Sequence, residues 1–213
     1  MVGRTEKMPA SLRPRDATVE HEIAAFLDEK FYPSHVSDFI RFTQKEDQLK
    51  GKDVSFTIES LKNIIVDEKA QSHYINKNIP TFAFEINFIR GSGDLTPGWL
   101  LDDTKETEYY FLIWPFANVE WNVTHKDITL LKCLLISRKK LRDYLHTEGF
   151  TKDTLLKKAK DIRESKQEGV IGKENHPNVY FYLSSQLAEK PISIIIQRAK
   201  LHELADFSFD VNA

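Results

Sequence analysis

Two short alternating stretches, residues 53–58 and 64–71, limit the fold of this chain more than any other part of it. In the first, Val54, Phe56 and Ile58 form an apolar face, and Asp53, Ser55 and Thr57 form a polar one. In the second, Ile64, Val66 and Ala70 fall on one side of an extended chain and Asp67, Lys69 and Gln71 on the other, because strand side chains alternate with period two. Residues 59–63 between them are short enough to close an antiparallel hairpin. Both apolar faces must turn to the core, since a slip of one residue would move every side chain to the wrong side. Asp53, Asp67 and Lys69 therefore share a face, with Asp53 opposite or diagonal to the other two. Desolvating such charges costs free energy unless each has a partner, so a purely structural role needs a compensating reason.

Two carboxylates and a lysine on adjacent antiparallel strands suit metal-dependent phosphodiester hydrolysis. Mg²⁺ takes hard oxygen ligands and is usually held through one or two protein carboxylates, with waters and substrate phosphate completing its shell. The metal polarises a phosphoryl oxygen and acidifies a bound water, while a lysine orients that water or offsets charge in the transition state. In these residues the chain resembles the PD-(D/E)xK nuclease superfamily: Asp53, followed by Asp67-Glu68-Lys69 on the next strand, matches the Asp…(Asp/Glu)-x-Lys signature. Lys52 stands where the family often has proline, and Asp28-Glu29-Lys30 repeats the triplet at what reads as the exposed end of a helix.

The resemblance implies an α/β fold of the restriction endonuclease-like kind, a mixed central β-sheet flanked by helices. It also implies Mg²⁺ or Mn²⁺ as cofactor and DNA as partner and substrate. Asp53 and Asp67 would ligate the metal, Lys69 would position or activate water, and the carbonyl of Glu68 would complete the coordination. Family members also carry a glutamate on a helix before the first core strand. Glu22 is the choice for that role, as both ligand and catalytic residue, and Glu20 is the reserve; both border the apolar stripe Val19, Ile23, Phe26 and Leu27 of a helix expected over 17–32. Glu85 joins the cluster if its strand, 81–88, pairs beside the Asp67 strand. Gln71 and Tyr74 are residue types that follow the lysine in RecB-like members, but at a different spacing.

The rest of the chain sets bounds. Formal net charge is −2, so the whole-molecule field does not mark a nucleic-acid binder. A positive surplus is confined to 137–166, read as two helices capped by Ser137 and Thr151 and offering a face to a phosphate backbone. Cys133 is the one cysteine, which excludes an intramolecular disulfide and a multi-cysteine zinc site and reads as a buried apolar residue. No apolar run approaches membrane-spanning length and the first residues form no secretory signal, so a cytoplasmic protein is expected. Residues 1–16 read as a mobile arm and 17–213 as a single domain. Residues 34–52 read as a polar connection turned by Gly51, in which Arg41 and Gln48 are phosphate contacts or plain surface. Residues 90–98 read as a flexible loop, 99–101 as the start of a strand, 109–114 as a buried strand ended by Pro115, 179–183 and 192–196 as strands, and 198–205 as a helix. Many relatives in the superfamily are dimers, but no segment marks a homodimer seam. The rival to a nuclease is a non-catalytic nucleic-acid-binding or scaffolding protein with a degenerate nuclease-like fold.

Overall fold

Apolar periodicity builds this chain from helices and strands that bury one or both faces. The computed structural model describes residues 13–165 and 167–213. It begins with helix α1 (Arg13–Lys30), the short α2 (Tyr32–His35), strand β1 (Ser37–Arg41) and helix α3 (Lys45–Leu49). The hairpin β2 (Val54–Ile58) and β3 (Leu61–Ala70) follows, then β4 (Thr81–Ile89), β5 (Leu95–Pro97), β6 (Tyr109–Ala117) and β7 (Ile128–Ser137). Helices α4 (Arg138–Thr147) and α5 (Lys152–Glu164) lead into β8 (Gly169–Ile171), β9 (Val179–Leu183), β10 (Ile192–Gln197), α6 (Arg198–Leu204) and β11 (Phe207–Asn212).

The strands form two sheets. One has the order β1-β2-β3-β6-β7-β11 and is mixed, because β3 and β6 run parallel while the other neighbours are antiparallel. The second, β5-β4-β10-β9-β8, is antiparallel. The α/β class and the flanked mixed sheet read from sequence are what the chain adopts. Val19, Ile23, Phe26 and Leu27 of α1 are buried against one face of the six-stranded sheet, among Phe56, Val66, Phe111, Cys133 and Leu135. On the other face Tyr110, Leu112, Trp114, Leu134 and Ile136 pack against Phe82, Phe84 and Ile194 of the second sheet and against Leu141, Leu155 and Leu201 of α4, α5 and α6. Central strands covered on both faces are continuously apolar, as 109–114 are.

Several local expectations change. Helix α1 begins at Arg13 rather than Ala17, so the end of the expected arm is helical, and the rest of that arm lies outside the described residues. The connection 34–52 contains β1 and α3. Trp99 to Leu101 form a turn, and β6 runs through Pro115 to Ala117. Pro115 turns its carbonyl to the amide of Asn76, on the side β3 has already left, so its missing N–H costs no ladder bond. The Ser137 and Thr151 side chains accept from the amides of Lys140 and Thr154, as N-caps do. No helix among the described residues is long and apolar enough to cross a membrane.

Candidate functional site

The hairpin register places Val54 opposite Val66, and the Asp53 amide also donates to the Val66 carbonyl, at 3.1 Å, which sets Asp53 at the start of the hairpin beside Asp67. Here β2 begins while β3 runs on to Ala70, which leaves one edge of β3 open past Val66. The Asp53 carboxylate fills the first gap: its Oδ2 accepts the Glu68 amide at 2.8 Å. A strand residue presents its N–H and C=O to the same side, so the Glu68 carbonyl faces this fork as well. Lys69 donates to Asp67 Oδ1 across one pleat. Its ammonium also lies 5.4 Å from the ring centre of Trp99, a residue brought beneath the strand by the turn after β5. Asp53, Asp67 and Lys69 thus converge.

Burial pushes the Asp53 carboxyl up from 3.8 to about 6, with Lys69 pulling it down and Asp67 pushing it up. Burial also pulls the Lys69 pKa down, but the Asp67 and Asp53 carboxylates outweigh it and hold the amine above its ordinary value. Lys69 is therefore a fixed cation at neutral pH and suits charge compensation rather than proton abstraction. The cluster opens into a cavity of about 580 Å³ whose lining includes Glu20, Arg41, Gln48, Asp53, Glu68 and Lys69. Asp67 is 3% exposed and lies behind Lys69.

Glu68 points the other way, as period two requires. Arg41 donates to its Oε2 at 2.7 Å and to its Oε1 at 3.2 Å, and the same guanidinium reaches Asp28 at 2.7 and 2.8 Å. The buried Tyr32 hydroxyl donates to Glu68 Oε1 at 2.5 Å. Arg41 is thus a clamp between α1, β1 and β3 rather than plain surface. On the near side Gly51 adopts φ +71°, and a Cβ there would meet Thr107 Oγ1 at 2.3 Å and lie 3.5 Å from Asp67 Oδ2. Thr107 donates to the Gly51 carbonyl at 2.8 Å, which fastens this turn over the acid.

Three expected contributors are placed differently. Glu22 turns to His125, accepting from its backbone amide at 2.7 Å and lying 2.9 Å from its Nδ1, and the side-chain bond to His125 lowers its pKa. Glu20, the reserve, lines the cavity and acts electrostatically on Lys69. Glu85 does not join the cluster through pairing with β3, since β4 belongs to the second sheet between β5 and β10. The basic helices are largely satisfied internally: Lys139 pairs with Asp143, Lys140 with Asp206, and Arg142 and Lys152 with Asp103, while Arg138 donates to the carbonyls of Asp102 and Lys105. Among the described residues no group of three or more His, Cys, Asp or Glu is arranged to hold a metal ion. The acidic donors at the fork are the Asp53 and Asp67 pair. Trp99 was missed by sequence reasoning; its signal is the preceding Gly98, where a Cβ would lie 2.4 Å from the Glu85 carbonyl oxygen and so mark a close backbone approach.

Comparison with protein-family models, with curated proteins and with solved structures finds no match, so this site is read from its own residues.

Proposed function

We propose that the protein is a metal-dependent nuclease that hydrolyses DNA phosphodiester bonds. The observation that carries this reading is the convergence of Asp53, Asp67 and Lys69 at the fork between β2 and β3. The donor set fits Mg²⁺ or Mn²⁺: two carboxylates meet the one or two that Mg²⁺ usually takes from protein, and burial raises the Asp53 pKa, a cost that a bound cation would offset. Asp53, Asp67 and the Glu68 carbonyl would hold the ion, with Glu20 as the helix carboxylate. When bound, the metal supplies Lewis-acid polarisation of the phosphoryl oxygen and a more acidic water. Lys69 offsets the negative charge that builds on the phosphoryl group, Asp53 fixes the Glu68 amide, and the Arg41 clamp holds α1, and with it Glu20, against β3.

One observation favours a second reading, a non-catalytic nucleic-acid-binding protein with a degenerate nuclease-like site: Asp67 is buried and already paired with Lys69. Incubation of plasmid and single-stranded DNA with Mn²⁺ separates the two. Cleavage by the wild type that disappears in both Asp67→Ala and Lys69→Ala supports the nuclease. Cleavage that survives both substitutions rejects these residues as its site, and binding without cleavage for every substrate and metal supports the second reading.

A further inference from the structure

On the same face of the six-stranded sheet as Lys69, beside α6, lies a cavity of about 290 Å³. Its floor is one cross-strand row: Trp114 of β6 pairs with Lys132 of β7, which pairs with Asp210 of β11. Arg198 and His202 enter from α6, four residues apart and therefore on one side of the helix, and Ser208 completes the lining. Three basic side chains thus share a small space with one carboxylate.

Among the described residues none of the three forms an ion pair. Lys132 and Asp210 are direct ladder partners, yet the Lys132 amine is turned to the Phe116 ring, 5.6 Å from its centre. The Arg198 guanidinium lies 5.6 Å over the Trp114 ring and donates one hydrogen bond, to Asn78 Oδ1 at 2.8 Å. A guanidinium has five N–H donors, so most of its capacity is uncommitted. Lys132 and Arg198 bring two cations to the one Asp210 carboxylate, and a bound anion supplies the attraction their surplus charge lacks. A planar guanidinium fixed against an aromatic ring, with an ammonium beside it, presents the donor geometry that oxygens on phosphorus accept.

We propose that this cavity binds a phosphoryl group, held by Lys132, Arg198 and His202. The group is either a backbone phosphate of a nucleic-acid strand or the phosphate of a small molecule, and the two share the chemistry of recognition. Register fixes the distance to the candidate site. Lys69 aligns with Leu112 and Leu134, and Lys132 lies two strands across and two residues along from Lys69, which puts their Cα atoms about 12 Å apart. Leu112, Trp114 and Leu134 between them are buried under the second sheet, so this cavity and the fork open separately. Assigning the group to a nucleic-acid strand rests on the nuclease reading; the binding itself does not.

Calorimetric titration of the full chain at low ionic strength, with a chelator present to prevent cleavage, tests the inference. The ligands are inorganic phosphate, a 5′-mononucleotide, its nucleoside and a short single-stranded oligonucleotide. Phosphate and mononucleotide should bind and the nucleoside should not. Lys132→Met and Arg198→Met should each weaken binding about tenfold, the scale of a lost charge-assisted hydrogen bond. Asp210→Asn should tighten it by removing a like charge. Oligonucleotide binding weakened by the same substitutions assigns the site to a strand, and oligonucleotide binding left unchanged assigns it to a free phosphate compound. Absence of phosphate binding, or binding that neither substitution alters in proteins with unchanged circular dichroism, overturns the proposal. Arg198→Lys, which keeps the charge, replaces Arg198→Met if the latter does not fold. Loss of cleavage in Asp67→Ala with phosphate binding intact separates this site from the fork.

Discussion

Replacing Asp53 with asparagine should remove the activity and make the protein more stable at neutral pH. The carboxyl titrates at 3.8 when free and at about 6 in the folded chain, chiefly because it is buried. Below the lower value it is protonated in both states and contributes nothing. As pH rises from 3.8 to about 6 the folded chain holds the proton and the unfolded chain does not, so this group takes stability away. Above the folded value the loss is complete, and at 1.36 kcal/mol per pH unit it comes to about 3 kcal/mol. Asparagine mimics the protonated acid and keeps an oxygen for the Glu68 amide. Asp53→Asn should therefore exceed the wild type by up to about 3 kcal/mol at pH 7 and match it near pH 4. Urea unfolding in chelator at the two pH values measures this. Subtracting the variant's curve cancels Asp102, Asp103 and Glu106, whose lowered pKa values stabilise with rising pH. Added Mn²⁺ should stabilise the wild type and leave the variant unmoved, because a ligand that binds only the native state adds to stability. An Asp53→Asn protein no more stable than wild type at pH 7 would refute the argument that this carboxylate is held at a cost.

Other outcomes follow from the same contacts. Glu20→Gln should lower metal-dependent cleavage with little change in melting temperature, whereas Glu22→Gln should lower the melting temperature and spare cleavage, since its partner is His125. Arg41→Met takes the cation from Asp28 and Glu68 and should cost about 3 kcal/mol in denaturant unfolding, partly recovered by adding Glu68→Gln. Gly51→Ala forces a side chain into the left-handed region and onto Thr107, and should cost at least about 1–2 kcal/mol, read as a fall in melting temperature.

The hairpin and the placement of its three charged residues were legible because period two and a buried face leave one register. Val54 opposite Val66 is that register, and it brings Asp53 beside Asp67 and Lys69. The caps at Ser137 and Thr151 were legible for a similar reason, since their partners lie three residues away. What was hidden depends on partners distant in the chain. Alternation identifies β4 as a strand but not the sheet it enters, so Glu85 was not placeable. Glu20 and Glu22 flank one stripe, and it is His125 on a remote loop that claims Glu22. The basic segment looked like a phosphate face because Asp103 and Asp206, which neutralise much of it, are distant in sequence. Strand β11 is a different case: Phe207, Phe209 and Val211 alternate with Ser208, Asp210 and Asn212, and the signal was present.

Cys133 sits on the helix-facing side of β7, 2% exposed, with a thiol whose burial pushes its pKa well up. As the chain's one cysteine, it gives the native protein a silent chemical clock. A thiol reagent reaches it only when the packing around β7 opens. The labelling rate under native conditions therefore measures the free energy of that opening, with no engineered probe and in any of the variants above.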